Sequence, residues 1–293
     1  MTAPHRATLL VEQAPIVAHH HLAGDQHWLI LDAPQIAARA RAGSFVHLQV
    51  SRSRPLRRPI SILRSDQEAG RIELLYKAIG RGTRELRDRQ VGEALDLIGP
   101  IGQPFVVKPG QRRPLLLGGG VGMPPMIFLA DQLRREQPAV TPLVILGSEV
   151  PFPFPIRPSQ FLLPGMPEGV IGAMPLLEDW GVASRLTSLQ GYAGCHQGYV
   201  TDLAEQWLQS LTPTARAEVV VMACGPEPML AAVAALARRW QLPCQVSLEE
   251  YMACGVGGCA GCVVEVQGAN GPMMKRVCVD GPVFDANSLF AAD

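Results

Sequence analysis

Four cysteines toward the C-terminal end carry the clearest chemistry in the chain. Cys254, Cys259 and Cys262 follow a Cys-x4-Cys-x2-Cys spacing, and Cys278 comes after a further fifteen residues. Thiolates hold a [2Fe–2S] cluster with this spacing. Three thiolates can converge on so small a centre only if the chain wraps tightly around it. Gly255, Gly257, Gly258 and Gly261 allow that wrapping, because glycine accepts positive φ and leaves amide N–H groups free to point at sulfur. A structural zinc site is the other reading of four thiolates, and Cys259 with Cys262 forms one gap of the size zinc prefers. The four-residue gap and the glycine density favour the cluster. Cys195 and Cys244 have no such company and read as packing residues.

Glycine-rich turns form a second chemistry. Leu115–Gly122 reads as a strand running into a turn, and after Gly119 the residues Gly120, Gly122 and Pro125 make a G-x-G-x-x-P variant of the dinucleotide fingerprint. Glycines let the backbone approach a pyrophosphate, the following helix N-terminus favours its charge, and proline fits a first helical turn. By itself such a turn is also compatible with a plain tight connection. Cys224, Gly225 and Pro226 form a second turn of the same kind, between a strand and a helix. In a parallel sheet both turns fall at the carboxyl edge, where one ligand can touch both. The next strand ends at Glu149, which could bind a ribose 2′-hydroxyl and repel a 2′-phosphate, favouring NAD over NADP; Arg157 nearby would act the other way.

A third group lies in the first hundred residues. Arg57-Arg58-Pro59-Ile60-Ser61-Ile62 falls in an expected strand, where Arg58 could neutralise a phosphate and Ser61 could hydrogen-bond a flavin ring. A solvated basic strand is the bland alternative. Lys77 with Gly80, Gly82 and Thr83 offers a cation, free amides and a hydroxyl for a second phosphate contact. His19, His20, His21 and His27 are close in sequence, but neighbouring strand residues face opposite sides, so a solvated turn is expected there rather than a metal site.

The elements that must position these groups divide by pattern. Short β-like runs at Ala7–Val11, Trp28–Leu31, Phe45–Val50, Ile60–Leu63, Ile72–Ala78 and Ala94–Ile98 suggest an antiparallel barrel or sandwich. From Pro114 strands alternate with helices: Pro114–Leu117, helix Met126–Gln137, Leu143–Leu146, helix within Gly198–Ser210, Glu218–Met222 and helix Pro228–Trp240. That alternation argues for a doubly wound parallel sheet. Pro151–Gly191 is rich in proline and glycine and reads as an inserted loop. The expected fold class is therefore α+β and multidomain: an antiparallel barrel over 1–110, a parallel α/β domain over 111–243 and a small cysteine-loop subdomain over 244–293.

Composition sets the outer limits. The 293 residues carry 26 Lys+Arg and 26 Asp+Glu, a formal net charge of zero, with no clustered basic excess for nucleic acid. No apolar run is long enough for a transmembrane helix, and MTAPHRATLL does not read as a secretory signal. An odd count of seven cysteines, four of them clustered, points to metal chemistry in a reducing, cytoplasmic setting.

The order barrel, R-P-x-S, G-x-G-T, G-G-G-x-G-x-P-P, C-G-P-x-P-M resembles the ferredoxin–NADP reductase superfamily. The cysteine loop narrows the likeness. RRPISI, LLYKAIGRGT, IGPIG, GGGVGMPP, GCHQGYVTDL, ACGPEPM and SLEEYMACGVGGCAGCVVE resemble the electron-transfer subunits of NAD-dependent, two-subunit dihydroorotate dehydrogenases, from Gly43 to Pro282. The resemblance implies that Arg58, Pro59, Ile60, Ser61, Leu75, Tyr76, Lys77, Gly82 and Thr83 hold FAD, and that Cys254, Cys259, Cys262 and Cys278 hold the [2Fe–2S] cluster. Ile60 stands where the wider superfamily often has an aromatic residue.

It further implies an oxidoreductase subunit of pyrimidine biosynthesis that passes electrons between NAD(H) and a partner flavoprotein. Nicotinamide moves two electrons as hydride and the cluster moves one, so a flavin stands between them and no acid–base residue need act in this chain. Another NAD(P)H-linked reductase subunit, of sulfide or ferredoxin type, is the nearest alternative. A non-catalytic zinc-binding module on the same scaffold is the alternative of a different class.

Overall fold

The computed structural model describes residues 9–268 and 270–290. Ala7 and Thr8, the start of the first expected strand, lie outside them. β1 (Leu10–Leu22) begins with strict alternation: Glu12, Ala14 and Ile16 are buried between exposed Val11, Gln13 and Pro15. Such a period of two presents one face to a core. β2 (Gln26–Asp32), β3 (Phe45–Gln49), β4 (Arg58–Asp66), β5 (Arg71–Lys77) and β6 (Ala94–Ile101) complete a closed barrel in the order β1-β2-β5-β4-β3-β6. Closure decides between barrel and sandwich, and β1 pairs β6 antiparallel from Leu10↔Gly99 to Pro15↔Ala94. Leu29, Leu31, Val46, Leu48, Ile62, Ile72 and Leu74 fill the interior.

The histidine run is strand, not turn. β1 continues to Leu22, with a register shift between Ile16 and Ala18, and His21 stands opposite His27 on β2. His19 and His21 are two apart and share a face. Their rings lie 5.0 Å apart, and that of His21 lies 4.9 Å from His27. His27 is buried, so the expected solvated turn does not form there.

The second body is built on β7 (Arg113–Gly119), β8 (Leu143–Gly147), the short pair β9 (Arg157–Pro158) and β10 (Gly172–Ala173), β11 (Ala183–Thr187), β12 (Val219–Cys224) and β13 (Cys244–Ser247). β11, β8, β7 and β12 pair in parallel in that order, and β13 and Val283–Asp285 extend the sheet. Helices Met123–Glu136, Val200–Ser210 and Glu227–Arg239 accompany them. The 151–191 stretch is more than an inserted loop, because it contains β9, β10, a helix at Pro175–Asp179 and the sheet strand β11. β11 escapes a hydropathy reading because Ser184, Arg185 and Thr187 are polar yet buried. Arg185 satisfies its charge with carbonyls, donating to those of Ser184 at 2.7 Å and Phe161 at 2.6 Å.

β14 (Val263–Gly268) and β15 (Gly271–Arg276) form a separate antiparallel hairpin beside the cysteine loop. Contacts divide the chain into two bodies, Met1–Pro104 with Ser247–Val283, and Phe105–Val246 with Phe284–Asp293. The cysteine segment thus shares the barrel's body, whereas the sequence division sets it apart over 244–293.

Candidate functional site

The cysteine loop is tied to the barrel by backbone bonds. The Gln103 amide donates to Gly281 O at 2.6 Å, and its side chain donates to Val279 O at 3.2 Å. Within the loop, Gly255 and Gly257 take positive φ, as the wrapping requires; Ala260 also does so, while Gly258 and Gly261 do not. Gly257 leaves no room for a side chain, since a Cβ there would come within 2.5 Å of Val279. Arg276 Nη1 donates to Gly257 O at 3.0 Å and braces the turn.

The expected ligands fall into two pairs of neighbours: the thiol of Cys254 lies beside that of Cys259, and the thiol of Cys262 beside that of Cys278. Backbone amides aim at them: Val256 N and Gly258 N lie 3.5 and 3.3 Å from Cys254 Sγ, and Gly261 N lies 3.4 Å from Cys259 Sγ. Burial raises the Cys254 pKa, but the Val256 amide, the Cys259 side chain and further amides outweigh it and bring the thiol down to about 7. Burial and the Cys262 thiol push Cys278 up to about 12. Among the described residues no three His, Cys, Asp or Glu are gathered to hold a single metal ion. Two thiol pairs cradled by amides suit a two-iron centre better than one tetrahedral zinc. Cys195 and buried Cys244 stand apart, their thiols pushed up by burial to about 11 and about 12.

The barrel gathers the second group. Arg58, Pro59, Ile60 and Ser61 begin β4, while Leu75, Tyr76 and Lys77 end β5. Gly82 and Thr83 occupy the first turn of helix Arg81–Arg87. Gly82 is shaped by Arg58, since a Cβ on Gly82 would overlap the Arg58 guanidinium. Arg58 Nη1 meanwhile donates to the carbonyls of Leu56 and Arg57 at 3.0 and 3.1 Å. Thr83 Oγ1 accepts from Gly80 N at 3.1 Å and fixes the turn. The two arginines differ: Arg57 is bound to the Asp96 carboxylate and carbonyl on β6, so it braces the barrel. Tyr76 is buried, with its hydroxyl 3.0 Å from His19 Nε2; burial raises its pKa.

The third group lies in the second body. Cys224 stands opposite Gly118 in the β12–β7 register, so the two glycine turns emerge side by side. Gly119 precedes the short 3-10 turn Gly120–Gly122, and Pro125 lies buried in the first turn of the next helix. Gly120 takes φ of +55° with open space where a Cβ would stand. Gly225 packs on Met229 and on Gly119 Cα, and Pro226 precedes helix Glu227–Arg239. Met229, which the sequence places only as part of a motif, forms the wall behind both glycines. Glu149 is exposed just beyond β8, whose Gly147 pairs Gly119. Arg157 is drawn away into an ion pair with Asp179 and a 2.9 Å bond to Pro175 O, so its charge is already answered.

His47 is the residue that sequence reasoning missed. It is fully buried in β3, with its ring against Gly255 of the cysteine loop. A histidine among apolar strand residues was the available signal.

The chain matches two family models. The iron-sulfur cluster binding domain of dihydroorotate dehydrogenase B covers residues 249–290, and an oxidoreductase FAD-binding domain covers residues 13–105. The dihydroorotate dehydrogenase B (NAD(+)) electron transfer subunit of Shouchella clausii (strain KSM-K16) is 33% identical over 278 residues, 94% of this chain and 96% of that protein. That of Geobacillus thermodenitrificans (strain NG80-2) is 34% identical over 283 residues, 95% and 98% respectively. Among solved structures, a chain of the NADH-dependent reduced ferredoxin–NADP oxidoreductase of flavin-based electron bifurcation superposes with a TM-score of 0.76 at 25% identity. That match covers 95% of this chain and 90% of the other.

Proposed function

The chain belongs to the family of NAD-dependent dihydroorotate dehydrogenase B electron transfer subunits, and from that premise we propose how its residues divide the work. It is an oxidoreductase subunit that passes electrons between a catalytic partner subunit and NAD, with FAD and an iron–sulfur cluster as its cofactors. A flavin exchanges hydride with nicotinamide and single electrons with a cluster, which is why one chain carries both motifs.

Arg58 offers its guanidinium to a flavin phosphate, beside the amides of Gly82 and Thr83. Pro59, Ile60, Ser61, Leu75, Tyr76 and Lys77 line the ring and ribose. Cys254 and Cys259 take one iron, Cys262 and Cys278 the other. Gly119, Gly120, Gly122 and Pro125 receive the dinucleotide, backed by Cys224, Gly225 and Pro226, and Glu149 selects against a 2′-phosphate. The barrel is the flavin domain, the parallel sheet the nucleotide domain, and the cysteine segment an extension of the former. No described helix is long and apolar enough to cross a membrane. None of the seven cysteines is in a disulfide, which fits a cytoplasmic, reducing setting.

The pair of thiol pairs inside the barrel's own body, with amides aimed at the Cys254 and Cys259 sulfurs, is the observation that carries this reading. The purified chain should show flavin and iron–sulfur absorption and oxidise NADH with artificial acceptors. Alone it should not oxidise dihydroorotate, and adding the catalytic flavoprotein subunit should restore NAD-linked oxidation. Turnover of dihydroorotate by the isolated chain, or a colourless protein holding zinc, would overturn it.

A further inference from the structure

His47 joins the two redox motifs of the barrel's body. Its backbone stands opposite Pro59, inside the Arg58–Ser61 segment, in the β3–β4 register. Its ring lies on the other motif: a Cβ on Gly255 would come within 2.6 Å of His47 Nδ1. Gly255 has φ of +68°, so glycine is required there twice over, by conformation and by the ring. The side chain is 0% exposed, and neither ring nitrogen has a hydrogen-bond partner of regular geometry. The polar groups that face it are the carbonyls of Cys254, Met252 and Arg57 and the charge of Arg57. A buried imidazole in such surroundings calls for an explanation.

The neighbouring bonds supply one. Cys254 is the first ligand of the Cys-x4-Cys-x2-Cys loop, and its Sγ receives the Val256 and Gly258 amides. Those amides point at sulfur only while the Cys254–Gly255 peptide keeps its orientation. The group nearest to where a Gly255 Cβ would stand is His47 Nδ1. Hydrogen bonds to cluster sulfurs help to set its reduction potential.

We propose that His47 is a positioning residue of the electron path: its Nδ1–H holds the Cys254 carbonyl, fixing the peptide whose following amides bond the Cys254 sulfur. It acts through the peptide and touches no reacting atom. This inference rests on the cluster assignment above.

The test is electron paramagnetic resonance and redox titration of the FAD-loaded protein with variants at position 47. Asparagine places an amide N–H near Nδ1, whereas glutamine reaches toward the position of Nε2. His47→Asn should keep the wild-type spectrum and potential. His47→Gln and His47→Leu should retain FAD, alter the g values and make the cluster harder to reduce. Loss of one net hydrogen bond to sulfur lowers the flavin-to-cluster equilibrium constant by about tenfold. Should His47→Leu not fold, the Asn and Gln pair still decides. Wild-type spectra and potentials in His47→Gln, or equal changes in both polar variants, would overturn the role of His47. Absence of any cluster signal in the wild-type protein would instead overturn the proposed function.

Discussion

Gly122 rests on the backbone of Cys224: a Cβ at Gly122 would overlap the Cys224 carbonyl and come within 2.5 Å of the Gly225 nitrogen. The two glycine turns are therefore locked together by contact between main chains, which cannot swing aside as a side chain can. Gly122→Ala should push them apart at a cost of about 1–3 kcal/mol. NADH-dependent flavin reduction should fall at least tenfold, while flavin and iron contents, which belong to the other body, stay at wild-type levels. Stopped-flow reduction and cofactor analysis check both halves.

Arg58 and Gly82 are matched in the same sense. Arg58→Ala should weaken FAD retention by about 1.5–3 kcal/mol, the contribution of a hydrogen bond to a charged group. Gly82→Ala displaces the guanidinium without removing it, so its loss should be smaller but of the same sign. Flavin remaining after dialysis measures this, and unchanged retention in both variants would argue against the phosphate assignment.

Cys259 is exposed and receives one amide hydrogen bond, from Gly261. Cys259→Ser should lose most of the iron and keep FAD, because the cysteine loop and the flavin motif are separate segments of the chain. Iron and sulfide assays decide, and wild-type iron content would remove Cys259 from the ligand set.

Glu149 stands exposed beyond β8, and Arg157, the cation that could have offset it, is paired with Asp179. NADH should therefore reduce the flavin better than NADPH. Glu149→Gln should narrow that preference by improving NADPH rather than by harming NADH. The ratio of the two kcat/KM values is the readout.

His27 gives the barrel a pH dependence of predictable sign. Burial, then the neighbouring His21 and His19 rings, lower its pKa from 6.5 to about 4. Above pH 6.5 the imidazole is neutral folded and unfolded, and its contribution to stability is fully present. Between pH 6.5 and about 4 the unfolded chain takes a proton that the folded one refuses, so stability falls as pH falls, by at most about 1.4 kcal/mol per pH unit. His27→Phe should flatten that slope. Urea midpoints of both proteins at pH 7, 6 and 5 test it, and parallel curves would contradict it.

Spacing along the chain determined the chemistry. Cys-x4-Cys-x2-Cys, the two glycine turns and the Arg58–Ser61 segment are local patterns, and a local pattern survives in a string of letters. Strands marked by short apolar runs, such as β2 around Trp28–Leu31 and β5 from Ile72, were legible for the same reason. The tertiary structure alone decided what depends on a partner. β11 buries its polar Ser184, Arg185 and Thr187, so hydropathy could not mark it as a buried strand. His19, His21 and His27 gather because strand register sets His21 against His27, and register belongs to the pair of strands, not to either one. The ring of His47 against Gly255 and the union of the cysteine segment with the barrel rest on contacts between residues far apart in the chain. Sequence spacing carries no information on such contacts, because they form only when the core closes and excludes water from both partners at once.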